Sequence, residues 1–180
     1  MSGAKLALIG FLLLAFSGCS ETEKRASLSE KSREVVTMRG FHMVQTELGV
    51  KKYEIDSAEA YLNPRIKKMR FTNVRTRYYE KDKEIANLTS ETGVIYTDTN
   101  NIEVKGKVVL TTRDNAKLLT SSLSWDSKKN KLHTDEYVKV IRGDNVMEGV
   151  GFQSDIMLER VLIKKVITKI ADIDEFKREK

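Results

Sequence analysis

The feature that most constrains this chain is an apolar pattern of period two that recurs about every 30 residues. From Ile102 to Leu110 apolar and polar residues alternate almost strictly, with Val104 and Val108 between them. Such alternation puts one set of side chains on a buried face and the other in water, as in a half-buried β-strand. From Val35 onward, runs rich in Val, Ile, Thr and Tyr are separated by polar clusters at Asn63-Pro64, Lys81 to Lys83, Asp98 to Asn101, Arg113 to Asn115 and Arg142 to Asn145. Residues of these types accept turn geometry. Ser57 to Leu62 reads either as a helical turn or as strand. No stretch carries a long, capped 3.6-residue pattern, so an all-β fold is expected.

The recurrence sharpens this. Leu88-Thr89-Ser90 returns as Leu119-Thr120-Ser121, and Val108 with Asp114-Asn115 returns as Val138 with Asp144-Asn145. A degenerate copy begins at Gly149, and Tyr53 to Phe71 reads as an earlier one. Units of two strands cannot stand alone and stabilise by stacking. The expected result is a stack of antiparallel repeats forming two facing sheets, like a roll or a solenoid. Its ends are unpaired edges open to strand addition.

At 180 residues the chain suits one domain. It opens with a basic start at Lys5, an apolar run from Leu6 to Phe16, and Ser17-Gly18-Cys19. This has the form of a secretory signal and is too short to span a bilayer. Phe16-Ser17-Gly18-Cys19 resembles the lipoprotein box, with Phe in the usual Leu position. Cleavage before Cys19, the single cysteine, would let that residue carry the lipid anchor. The expected organisation is a signal peptide at 1–18, a lipidated polar tether at 19–34, the β domain at 35–171 and a charged tail at 172–180. The formal charge of +6 suits an anionic partner or a plain solvated surface.

Catalytic patterns are missing. His42 and His133 are the only histidines and lack ligand spacing. There is no His-Glu-x-x-His, no cysteine pair and no Gly-x-Ser-x-Gly. Gly149-Val150-Gly151 is too short for a nucleotide loop, and Asp172 and Asp174 lie in a charged tail. No catalytic group, metal or cofactor is expected. Tyr78 and Tyr79 beside Arg75 and Arg77 offer a stacking pattern for nucleic acid, a poor partner for an exported protein.

Leu88 to Tyr96, Asn101 to Leu110, Leu119-Thr-Ser-x-Leu123-x-Trp125-Asp126, Asn130 to Asp135, Val138 to Val140 and Gly149-Val-Gly151-Phe152 together resemble the LptC family of lipopolysaccharide-export proteins over about Val35 to Thr168. The pattern is shared with the related soluble periplasmic bridge protein; the N-terminal anchor favours the LptC family. The resemblance implies an open, V-shaped β-jellyroll whose interior holds the acyl chains of lipopolysaccharide. It implies docking of the N-terminal edge on the permease pair of an inner-membrane ABC transporter, and of the C-terminal edge on the bridge protein. The expected place is the periplasmic face of the inner membrane, through the lipid. Following the alternation, the groove-lining set is Ile102, Val104, Val108, Leu110, Leu119, Leu123, Trp125, Leu132, Val138, Val140, Phe152 and Ile163. The alternatives are a structural envelope lipoprotein that assembles through its strand edges, and the bridge protein itself.

Overall fold

The structure is a computed structural model that describes residues 35–170. Cys19, the tether and the charged tail lie outside the described residues. Nine strands follow in order: β1 (Val36–Glu47), β2 (Val50–Asn63), β3 (Lys68–Glu80), β4 (Lys83–Tyr96), β5 (Asn101–Thr112), β6 (Lys117–Asp126), β7 (Lys131–Arg142), β8 (Asn145–Ser154) and β9 (Leu162–Ile170). Each pairs antiparallel with the next, in one open sheet of order β1 to β9. Five turns fall on the polar clusters expected from sequence, the turn at 127–130 is a further one that was not expected, and Ser57 to Leu62 is strand. Sequence gave no warning of the Leu48-Gly49 turn, where both residues have positive φ.

Strands β2, β3 and β4 change face near the middle, whereas in β5 and β7 the buried positions keep one parity throughout. In β3 the buried residues are Phe71 and then Val74, Thr76 and Tyr78; in β4 they are Ala86, Leu88 and Ser90 and then Gly93 and Ile95. An interval of three between inward residues in a period-two strand marks an irregular step. These steps line up across the sheet, and two devices stabilise them. Gly40 in β1, Asn73 in β3, Gly106 and Lys107 in β5 and Gly151 in β8 take positive φ. In β2, β4 and β6 a hydroxyl donates to the carbonyl two residues on: Ser57 to Glu59 at 3.2 Å, Ser90 to Thr92 at 3.1 Å and Thr120 to Ser122 at 3.2 Å. Gly106 stands at φ +81°, and a Cβ there would also lie 2.7 Å from Glu91 Cβ, so a side chain at this step is strained.

The aligned steps fold the sheet over itself. Tyr78 sits on the ladder that ends in Thr112 of β5, through Ala86. Ile102 lies at the other end of β5, ten residues or about 33 Å away along an extended strand. Yet Tyr78 and Leu88 share one small void with Ile102, Val104, Leu123 and Trp125. Two half-strand layers therefore face each other, joined at the fold line and parted at the strand tips. The first layer holds Ile55, Tyr78, Leu88, Leu110, Leu118 and Val140; the second holds Phe71, Ile95, Ile102, Val104, Leu123, Leu132 and Phe152. Burying each large apolar side chain between them contributes about 1.5–3 kcal/mol.

The fold line explains one correction. Leu119 does not share a face with Leu123. Leu118 is the buried residue, paired with Leu110 and Val140, while half-buried Leu119 pairs with Val109 and Lys139 on the outer face. The repeated Leu-Thr-Ser suggested an offset of 31. The hydroxyls at the fold line, Ser90 and Thr120, set it at 30 and carry Leu118 into the core.

Candidate functional site

The inner faces of the two layers form the candidate site. Ile102, Val104, Val108, Leu110, Leu123, Leu132, Val138, Val140 and Phe152 are buried there. Trp125 and Ile163 are half-buried and pack against them. The sequence set reached the first layer at Leu110 and Val140 and omitted its β2–β4 part, with Ile55, Tyr78, Ile85 and Leu88, and Leu118 of β6. Its signal was present but hidden: Tyr78 and Tyr79 look alike in sequence, and only alternation separates them. Tyr78 is in the core, where burial pushes its hydroxyl well above the ordinary tyrosine value. Tyr79 is outside, donating to Glu54 at 2.9 Å.

The inner face is mainly apolar from edge to edge, with Thr76, Thr112, Thr134 and Ser154 buried among its aliphatic residues. On β1 it continues as half-buried Met38, Phe41 and Met43, with Phe41 against Phe71 at 5.7 Å between ring centroids. On β9 it continues as Ile163 and as Val166, which is 61% exposed. Leu162 and Ile167 of the same edge strand are 58% and 63% exposed. An edge strand with this much bare apolar surface invites another strand.

The tips of the layers form a mouth, and its two halves differ. On one side it holds a cavity of about 620 Å³ between Tyr53, Tyr78 and Ile85 of β2–β4 and Ile102 and Trp125 of β5 and β6, with Ile156 also on its wall. Burial also raises the Tyr53 hydroxyl above its ordinary value. Along β5–β8 the segment 155–161, which joins β8 to β9, covers the mouth. Leu158 is 2% exposed, and Ile156 and Met157 pack on the core. From the opposite layer Arg142 donates to Leu158 O at 3.0 Å and pairs with Asp114 at 2.9 Å. The Thr112 hydroxyl, and then Arg142, hold the Asp114 carboxyl below its ordinary value.

Polar groups gather on the outer surface. Arg77 pairs with Glu54 at 3.1 Å and Asp56 at 2.9 Å, and His42 Nδ1 lies 2.7 Å from Asp56 Oδ1. Lys51 pairs with Glu54 at 2.8 Å. This network pins β1 and β2 to β3 in the manner of cross-strand pairs. The Lys51 and Tyr79 hydrogen bonds hold Glu54 below its ordinary value, and the bonds from His42 and then Arg77 do so for Asp56. Each acid is thereby committed to an ion pair. Among the described residues no group of three or more His, Cys, Asp or Glu is placed to hold a metal. No helix of the described residues is long and apolar enough to cross a membrane.

The fold and site define an all-β protein, an open antiparallel sheet doubled around a continuous apolar interior. The model of the family described as "Lipopolysaccharide-assembly, LptC-related" matches residues 4–171. The chain belongs to that family, and is a component of lipopolysaccharide transport. Among solved structures it is similar to LptH of Pseudomonas aeruginosa, described as the LptA homologous periplasmic component of the lipopolysaccharide transport device. That likeness has a TM-score of 0.52 at 12% identity and covers 80% of this chain and 99% of the other. At such identity it bears on the fold alone. No curated protein matches the sequence.

Proposed function

We propose that this chain takes lipopolysaccharide from the inner-membrane ABC transporter and passes it to the periplasmic bridge protein, held at the membrane by a lipid on Cys19. The observation that carries this reading is the apolar inner face, which runs from β1 to β9 and is only partly covered at both edges. Acyl chains leaving a bilayer would expose apolar surface at about 0.8 kcal/mol per CH₂. An interior walled by Leu, Val, Ile and Phe offsets that cost along the whole path. The transfer makes and breaks no covalent bond, so this chain acts without catalytic groups, and the transporter's ATPase supplies the energy.

The edges serve the hand-over. β1 meets the permease pair, and β9, with Leu162, Val166 and Ile167 bare, adds to a strand of the bridge protein. A second reading draws on the same bare edge: an envelope scaffold assembled by strand addition, with a permanently dry interior. Depleting the chain in its own cells and separating the membranes tests the proposal. Newly made lipopolysaccharide should accumulate in the inner membrane. Its normal arrival in the outer membrane would contradict the proposal.

A further inference from the structure

The turns at the two ends of the strands differ in charge. The β2–β3, β4–β5 and β6–β7 turns lie at one end of the sheet, in the second layer. Taken with the residue on each side, they carry Arg65, Lys67, Lys68, Lys128, Lys129 and Lys131 against Asp98 and Asp126. The four turns at the other end, taken in the same way, carry five charges of each sign. The connection 155–161 starts at the basic end and adds Asp155, whose carboxylate accepts from the Glu159 and Arg160 amides at 2.9 and 3.2 Å. Hydrogen bonds join the three basic-end turns into one row. Thr97 N donates to Lys67 O at 2.9 Å, and the Ser127 hydroxyl donates to Thr99 O at 2.6 Å. From β2 to β7 this row is about 25 Å long at the spacing of paired strands. Lys129 pairs with Asp126 at 3.3 Å, whereas Lys68 lies 4.8 Å from the Tyr96 ring centroid and keeps its charge. Lys67 and Lys128 are exposed.

One turn of the row departs from the other two. All three span four residues, and the last of the four takes positive φ: Lys67, Asn100 and Asn130. Asparagine suits that conformation better than lysine. The residue before it is Thr99 in the second turn, Lys129 in the third and Ile66, 48% exposed, in the first. Turn geometry asks for neither Ile66 nor Lys67. The described domain begins beside them, where Val36 pairs with Leu62 and where Val35 and Val36 are 50% and 47% exposed. Bare aliphatic side chains among cations match an anionic bilayer surface, where apolar groups enter between head groups and each nearby cation adds attraction.

From this placement we infer that the basic end of the domain rests on an anionic bilayer, with Ile66, Val35 and Val36 among the head groups and the lysine row over lipid phosphates. The inference goes beyond the transport reading and takes from it only the anchor at Cys19. Cys19 lies sixteen residues before Val35, a span of at most about 55 Å. A lipid on so long a tether retains the chain without fixing how the domain stands. The basic end supplies the orientation.

The test uses the full anchored chain in vesicles. With the Cys19 thiol acylated, a thiol introduced by Asp98→Cys in the basic row is the only free one and takes a fluorophore. Asp82→Cys, in a turn at the other end, is the control. The quencher is a lipid with a nitroxide on its head group. In vesicles of phosphatidylcholine and phosphatidylglycerol the label at position 98 should be quenched and the label at 82 should not. In pure phosphatidylcholine, or at 1 M salt, the difference should vanish. Adding Lys67→Ala and Lys128→Ala should lower the equilibrium constant for contact about 25-fold, about fivefold for each cation. Equal quenching at 98 and 82, or none, in a chain that stays with the vesicles would overturn the bilayer-facing end and leave the anchor standing. Quenching at 98 only when the vesicles contain lipopolysaccharide would assign the row to the cargo and overturn the bilayer contact as well. A chain recovered outside the vesicles would overturn the anchor and the bilayer contact together.

Discussion

The two halves of the mouth share their walls and differ in what lies between them. Between β2–β4 and the facing ends of β5 and β6 the layers part around a cavity of about 620 Å³ with aromatic lips, which Ile156 borders. Along β5–β8 the segment 155–161 fills the same gap with Leu158 and is latched by Arg142. The strands on both sides obey the same alternation. Irregular chain, rather than sheet, therefore decides which half is accessible.

The largest effect should come from removing the strand that completes the closed half. A Cβ on Gly149 would lie 2.3 Å from Lys165 O and 2.4 Å from Ile163 Cγ2. Gly149→Val should therefore force β9 off β8 and lower stability by about 3 kcal/mol, measured by urea unfolding. The variant should also lose capture of the bridge protein. Leu158→Ala empties the strap's anchor and should cost about 2–3 kcal/mol. Because the cavity it leaves adjoins the mouth, segment 155–161 should also become the first site of protease cleavage.

Arg142→Ala should cost about 1 kcal/mol, since the guanidinium is half exposed and its hydrogen bonds are screened. Its clearer readout is faster amide exchange in 155–161 with β2–β4 unchanged. The smallest effect is acid release of the latch. Asp114 has a depressed folded pKa. Its contribution is present above the unfolded value of about 3.9 and is lost as pH falls through the folded value. Lowering the pH from 6 to 3 should reduce the amide protection factors of 155–161, corrected for the intrinsic exchange rate at each pH, in the parent chain, with a smaller change in Asp114→Asn. An equal change in both would remove Asp114 from the latch.

The walls were legible in the sequence, and the closure was not. Alternation located Val104, Val108, Leu110, Leu132, Val138 and Val140 because a straight strand segment keeps its phase. It failed at Leu119, where the fold line shifts the phase of β6 by one and brings Leu118 inward. The shift depends on Thr120 and on the Gly106–Lys107 step in the neighbouring strand, a pairing that only the folded sheet brings about. Residues 155–161 have no period to read. Leu158 holds positive φ while buried, which only its packing and the Arg142 latch explain. Ile55, Tyr78, Ile85 and Leu88 went unread because they lie in earlier repeats whose relation to β5–β8 appears only when the sheet doubles over.

The measurement closest to the central claim is photocrosslinking in living cells, with the probe in turn at Met43, Leu123 and Ile163 along the inner face and at outward-facing Lys107. The account predicts lipopolysaccharide adducts from the three inner positions and none from Lys107. Normal expression with no adduct from any inner position would contradict it, and would make the doubled sheet a closed core with its function in its edges.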